Sequence, residues 1–234
     1  MKINLLEDWE RYWGVEPYPT DGKEKQRKYY NHHAGESPEI ITDENGDTIF
    51  RLNAVRHDED NSYRTAAICT KQLYGPGKWT VVARFHGGNG TWPAIWMHTR
   101  VPEGLQHPYE IDLCEYFQRR PWCKTGYFCH ASVKYWYYRL FRPKKHPFIN
   151  PKWWNKFECE WDENRIIVRV NNNEVLRYKN KGDRRFYPQE NLYLEYRLIL
   201  SMQYNKPGLL PIRLKQLPLW MDVKEATYEP KIND

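Results

Sequence analysis

The 234-residue chain has no long apolar run. Its first thirty residues carry Asp8, Glu10, Arg11, Asp21 and a lysine-rich stretch from Lys23 to Lys28, so nothing there is apolar enough for a signal peptide or a membrane-spanning helix. Paired cysteine spacing is missing as well. The five cysteines, Cys69, Cys114, Cys123, Cys129 and Cys159, are odd in number and form no C-x-x-C pair, which argues against a zinc site and a complete disulfide framework and leaves buried thiols as the expectation. Helical periodicity is weak throughout, and no repeat or low-complexity linker divides the sequence. One domain over 1–234 is expected, with 1–45 wrapping a core built from 46–230.

Flat rings are what the chain has in excess. Aromatic residues make up 16% of it, with 11 Trp and 18 Tyr, and such faces either fill a core or stack on sugars and bases in a ligand groove. Lys and Arg total 36 against 30 Asp and Glu, a net charge of +6. That mild excess favours anionic partners without dictating a fold. The basic clusters, Lys23 to Lys28, Arg142 to Lys145 and Arg177 to Arg185, read as solvated loops or as contacts for a sulfated or carboxylated polysaccharide. Neither nucleic acid nor membrane is expected as a partner, and a monomer is.

Short runs rich in Val, Ile, Tyr, Phe and Trp recur between Gly, Pro and Asn, the pattern of an all-β sandwich or barrel. Strands are predicted over 65–70, 79–86, 94–98, 109–116, 127–138, 156–162, 165–170, 192–203 and 221–228. Phe157, Cys159 and Trp161 alternate with charged residues, as do Ile166, Val168 and Val170, so each segment has one buried and one wet face. Asp162-Glu-Asn164 between them suits a hairpin turn.

Chemistry concentrates in Glu110-Ile-Asp112-Leu-Cys-Glu115. In a regular strand Glu110 and Asp112 share a face and Glu115 takes the other. A bulge at Leu113-Cys114 would return Glu115 to the first face, and bulges of this kind re-aim side chains beside active sites. Three crowded carboxylates then divide into proton donor and anion, the pair of roles that glycoside hydrolysis requires. Trp92, Ala94 and Trp96 fall on one face of the preceding extended segment, where the rings could floor a sugar groove or pack a core. His130, Ser132, Lys134 and Trp136 share a face of a later strand that is too polar for a core, which makes His130 and Trp136 candidates for lining the groove. Gln203 could bind a sugar hydroxyl through its amide. No D-x-D-x-D loop is present, so no metal and no cofactor is expected.

In this setting the chain resembles glycoside hydrolase family 16, whose members are β-jelly-roll endo-glycanases. The resembling blocks come in order: Tyr63-Arg-Thr to Thr70-Lys71; Tyr74-Gly75 to Arg84-Phe85; Trp92-Pro-Ala-Ile-Trp96; Tyr109-Glu-Ile-Asp-Leu-Cys-Glu115 in the bulged form of the signature; Phe157-Glu-Cys-Glu-Trp161; and Leu198 to Gly208. Roughly 40–228 is covered. The resemblance implies a concanavalin A-like jelly-roll sandwich of two antiparallel sheets with a concave cleft, acting outside the cell on a polysaccharide. It implies Glu110 as nucleophile, Asp112 as its assisting carboxylate, Glu115 as general acid/base and Arg84 as a groove residue, in a retaining enzyme that cuts internal β-1,3 or β-1,4 linkages of a glucan or galactan, sulfated or not. Members often carry a structural calcium, for which this sequence shows no loop. Two departures bear on substrate: His107-Pro108-Tyr109 stands where the family usually has Gly before the first Glu, and Ser201-Met-Gln203 replaces an Asn-containing run. The alternative is a non-catalytic carbohydrate-binding module on the same fold.

Overall fold

Alternating burial builds two antiparallel sheets that face each other across one core. The computed structural model describes residues 1–15, 38–57, 62–86, 91–99, 109–118, 127–135, 138–139, 144–145, 149–180, 196–204 and 219–231. Trp136, Cys123 and the Lys23 to Lys28 cluster lie outside them. In chain order the elements are β1 (Ile3–Asn4), α1 (Trp9–Tyr12), β2 (Trp13–Val15), β3 (Glu39–Thr42), β4 (Thr48–His57), β5 (Ser62–Thr65), β6 (Ala67–Thr70), β7 (Gly77–Phe85) and β8 (Thr91–Thr99). They continue with β9 (Tyr109–Gln118), β10 (Tyr127–Tyr135), β11 (Tyr138–Arg139), β12 (Lys144–Lys145), β13 (Asn155–Trp161), β14 (Arg165–Val170), β15 (Asn173–Lys179), β16 (Tyr196–Tyr204) and β17 (Leu219–Pro230). One sheet runs β15-β14-β13-β7-β17-β4-β3, with β1 added on β17 and β5 on β4; the other runs β11-β10-β9-β8-β16-β6-β2, with β12 added on β10. The expected all-β sandwich of antiparallel sheets is what the chain adopts.

Period-two patterning explains which face of each strand is buried. Trp79, Val81, Ala83 and Phe85 of β7 and Phe157 and Cys159 of β13 are all fully buried, and they meet Ile95 and Met97 of β8 and Ile111 and Leu113 of β9 in a single cluster. In β17 the buried set runs Leu219, Met221, Val223 and then Ala226 and Tyr228, a change of phase that coincides with the register shift between Val223 and Glu225. The first fifteen residues clip both sheets: β1 pairs with β17, β2 pairs with β6, and Trp13 donates its indole N–H to the Leu5 carbonyl at 2.7 Å. Both hairpin turns of β13-β14-β15 are chemically specified. The Asp162 carboxylate accepts from the backbone N–H groups of Asn164 and Arg165, as the sequence suggested, and Asn171 and Asn172 take the positive φ values, 49° and 66°, of a two-residue turn. Of the cysteines, Cys69, Cys114 and Cys159 are buried.

The outer face of the β7 sheet buries two acids and pairs each with cations. Asp222 is fully buried and accepts from Arg51 Nε at 2.7 Å, Arg51 Nη2 at 2.9 Å, Arg84 Nε at 3.0 Å and Arg84 Nη2 at 2.9 Å. Glu158 lies 2.8 Å from Lys78 Nζ and 2.9 Å from Lys156 Nζ. Burial by itself would raise the Glu158 carboxyl, but the hydrogen bonds and charge of the two lysines outweigh it and hold the group below its ordinary 4.5. A depressed folded-state value means that the unfolded chain takes up the proton first. The stability this carboxylate contributes is therefore present above the ordinary value and lost as pH falls below it. Acid titration of unfolding should show a shallower loss of stability below pH 4.5 in Glu158→Gln than in the wild type; equal slopes would contradict the assignment. Asp222→Asn leaves two guanidinium groups without their carboxylate and should cost about 2 kcal/mol, the scale of charge-assisted hydrogen bonds. In a domain of this size that lowers Tm by about 4–8 °C, which thermal unfolding will read directly.

Candidate active site

Pairing on both sides of β9 slips by one residue at the same place. Along β8 the partners run His98 with Glu110, Met97 with Ile111 and Trp96 with Asp112, then jump to Ile95 with Cys114 and Ala94 with Glu115. Along β10, Lys134 faces Glu110, Ser132 faces Asp112, and His130 already faces Glu115. Between Asp112 and Glu115, Leu113 and Cys114 therefore occupy the place of one residue, which is the bulge the acid spacing called for.

The consequence can be read from burial. Before the bulge Ile111 and Leu113 point into the core cluster, and after it Tyr116 does, so the inward phase changes from odd to even positions. Glu110, Asp112 and Glu115 take the complementary phase and share the other side of the eight-stranded sheet. Asp112 and Glu115 are sunk into that surface at 1% and 2% exposure, while Glu110 is partly exposed. Such a group of carboxylates, one accessible and two enclosed, is suited to hold an anion and a proton donor side by side.

The other sequence-derived candidates distribute around this row. Trp96 is partly buried on β8 with Asp112 as its register partner, and His130 on β10 holds the same relation to Glu115. Trp92 sits two positions before Ala94 on β8, opposite Gln203 of β16. Trp92, Trp96, His130 and Gln203 thus occupy strands adjacent to, or one removed from, the strand of the acids. Arg84 does not join them. It belongs to β7 in the other sheet, on the row that alternates with Trp79, Val81, Ala83 and Phe85 of the core, and its guanidinium is bound to Asp222 and lies 4.4 Å from the centroid of the Trp154 ring. The groove role that the family resemblance implied for Arg84 is corrected accordingly: this residue has a structural partner on the far side of the sandwich.

Register also brings in positions that the sequence had not marked as site residues. Ala94 faces Glu115 directly, Ser201 faces Ala94 from β16, and His98 faces Glu110 with Arg197 beyond it. Stepping by two from Trp92 and Trp96 reaches His98, and stepping by two back from Gln203 reaches Ser201 and Arg197, so period-two continuation was the available signal. Among the described residues no group of three or more His, Cys, Asp or Glu side chains is placed to hold a metal ion.

An antiparallel sandwich with a bulged row of carboxylates on one sheet defines a class of carbohydrate-active β-proteins. The chain matches the family described as glycosyl hydrolases family 16 over residues 27–205, and it belongs to that family. It is a glycoside hydrolase. A search of curated proteins returned no match. Among solved structures, the laminarinase from Flavobacterium sp. UMI-01 superposes with a TM-score of 0.74 at 16% identity, covering 97% of this chain and 98% of that one. The catalytic domain of an endo-1,3-β-glucanase (laminarinase) from Thermotoga petrophila RKU-1 gives 0.72 at 19% identity, covering 99% and 97%. The family 16 protein of a Bacteroides ovatus mixed-linkage glucan locus, in complex with a G4G4G3G product, gives 0.73 at 14%, covering 98% and 99%. At these identities the three establish the shared fold.

Ala94, 3% exposed and facing Glu115, leaves little room for a larger side chain. Ala94→Leu is expected to cost about 1–3 kcal/mol by overpacking and to depress hydrolysis far more than stability. Full activity with a lowered Tm would place Ala94 outside the site.

Proposed function

We propose that this chain is a retaining endo-β-glycanase that cleaves internal β-1,3 or β-1,4 linkages of a glucan or galactan, with Glu110 as nucleophile, Glu115 as acid/base and Asp112 as the carboxylate that positions Glu110. The reading rests on one observation, the two-for-one register at Leu113-Cys114 that puts Glu115 in the same row as Glu110 and Asp112. Glu110 attacks the anomeric carbon as Glu115 gives its proton to the departing glycosidic oxygen, forming an ester between enzyme and sugar. Glu115, now a carboxylate, then takes a proton from water, whose oxygen displaces Glu110 at the same carbon. Two inversions return the β configuration. Two carboxylates and water account for every bond made and broken, so the scheme calls on no metal and no cofactor.

The substrate class draws support from the neighbours, which are described as laminarinases and as a mixed-linkage glucan protein holding a glucan product. Partly buried Trp96 beside Asp112 supplies an aromatic face of the kind that stacks on sugar rings. The test is product release from laminarin, mixed-linkage glucan, agarose, porphyran and carrageenan, resolved by size. Wild type should yield oligosaccharides from at least one of them, and Glu110→Gln and Glu115→Gln should each lower the rate by about 10²–10⁴-fold or more with the thermal transition preserved. Wild-type rates in either variant would refute the roles. Binding of a polysaccharide with no product from the wild type would favour a non-catalytic binding module.

A further inference from the structure

In the row of the eight-stranded sheet that passes through Glu110, the other described positions are all basic. Read across β16, β8, β9, β10 and β11, the register partners are Arg197, His98, Glu110, Lys134 and Arg139. Two arginines, one lysine and one histidine thus hold the register positions around a single glutamate. The neighbouring row, at the level of Asp112, reads Ile199, Trp96, Asp112 and Ser132, with no cation in it. The row at Glu115 reads Ser201, Ala94, Glu115, His130 and Lys145. Four basic positions, Arg197, His98, Lys134 and Arg139, thus share the level of Glu110 over five adjacent strands, about 19 Å at the usual strand spacing, while His130 and Lys145 stand at the level of Glu115.

A polysaccharide cut between two carboxylates that follow one another along a strand must pass between them, and so it runs across the strands. Its path is parallel to the basic row, with Arg197 and His98 to one side of the cleaved bond and Lys134 and Arg139 to the other. A neutral glucan can accept hydrogen bonds from such residues but leaves their charge without a counterpart. Guanidinium and ammonium groups are the side chains that match sulfate esters and carboxylates, with arginine giving paired hydrogen bonds.

We infer that Arg197, His98, Lys134 and Arg139 make this site selective for an anionic β-glycan, one bearing sulfate-ester or carboxylate groups on sugars either side of the cleaved bond. The inference rests on the catalytic reading above and narrows it. The test measures kcat and KM on matched polymers: laminarin, its sulfate ester and its C6-oxidised carboxylate form, together with carrageenan and its desulfated counterpart. Wild type should prefer an anionic member of at least one series, and which one separates sulfate from carboxylate recognition. Arg197→Gln with Arg139→Gln should reduce that preference by about tenfold or more, the scale of a lost charged hydrogen bond, through KM rather than kcat, and should flatten its salt dependence. Equal or better turnover of the neutral polymers, unchanged in the double variant, would overturn the inference while the endo-glycanase reading stood. If no polymer is cleaved, the catalytic reading fails and affinity electrophoresis decides the row. Retardation by the anionic polymers that disappears in the double variant supports it, and absence of retardation overturns it.

Discussion

Antiparallel strands pair residue for residue, and the site depends on the one place in β9 where they do not. Had β9 kept a regular register, Glu115 would turn toward Ile95, Met97 and Phe85, and Tyr116 would leave the core. With Leu113 and Cys114 set against one partner, the apolar and acidic phases exchange together: Ile111, Leu113 and Tyr116 stay in the core, and Glu110, Asp112 and Glu115 stay on the other side. The core therefore enforces the arrangement of the acids, since undoing the bulge would bury a carboxylate without a designed partner and expose an aromatic ring. A second phase change, in β17 between Val223 and Glu225, keeps Ala226 and Tyr228 inside by the same means.

Under the proposed function, the two sheets put their buried acids to different uses. Asp222 is clasped by Arg51 and Arg84, and Glu158 by Lys78 and Lys156, on strands that carry no element of the carboxylate row. These ion pairs tie β4, β7, β13 and β17 together across the outer face of their sheet, and the rings of Trp154 and Trp220 stack with the arginines. Asp112 and Glu115 are as deeply enclosed but belong to the row through which a substrate chain would pass. Burial of a carboxylate alone does not tell a structural acid from a chemical one; under the proposed function, the sheet it stands on does.

Strands with a strong alternating pattern were legible in the sequence. Arg165–Val170 falls where periodicity put it, and β7, β9, β13 and β17 differ from expectation by a few residues at their ends. The bulge could be foreseen because three acids at that spacing make sense on one face only if an extra residue intervenes. Thr48–His57 was missed because its polar face, with Arg51 in it, is explained only by Asp222 far along the chain. Asn173–Lys179 was missed because an edge strand with Leu176 as its one fully buried side chain has no apolar rhythm. Arg84 illustrates a different limit: alternation with Val81, Ala83 and Phe85 puts it outside the core, yet nothing local says which of two sheets carries the substrate. Likewise the cross-strand company of Glu110, from Arg197 to Arg139, exists only once four strand pairings are known.

The central claim, that the bulged row of β9 performs double displacement from Glu110, is tested most directly by trapping the covalent intermediate. Incubation with 2,4-dinitrophenyl 2-deoxy-2-fluoro-glycosides of β-glucan and β-galactan oligosaccharides, followed by peptide mapping by mass spectrometry, should find one sugar ester, on Glu110, in wild type and none in Glu110→Gln. A label on Glu115 or on an acid outside β9, or cleavage of substrate with inversion and no label at all, would contradict it.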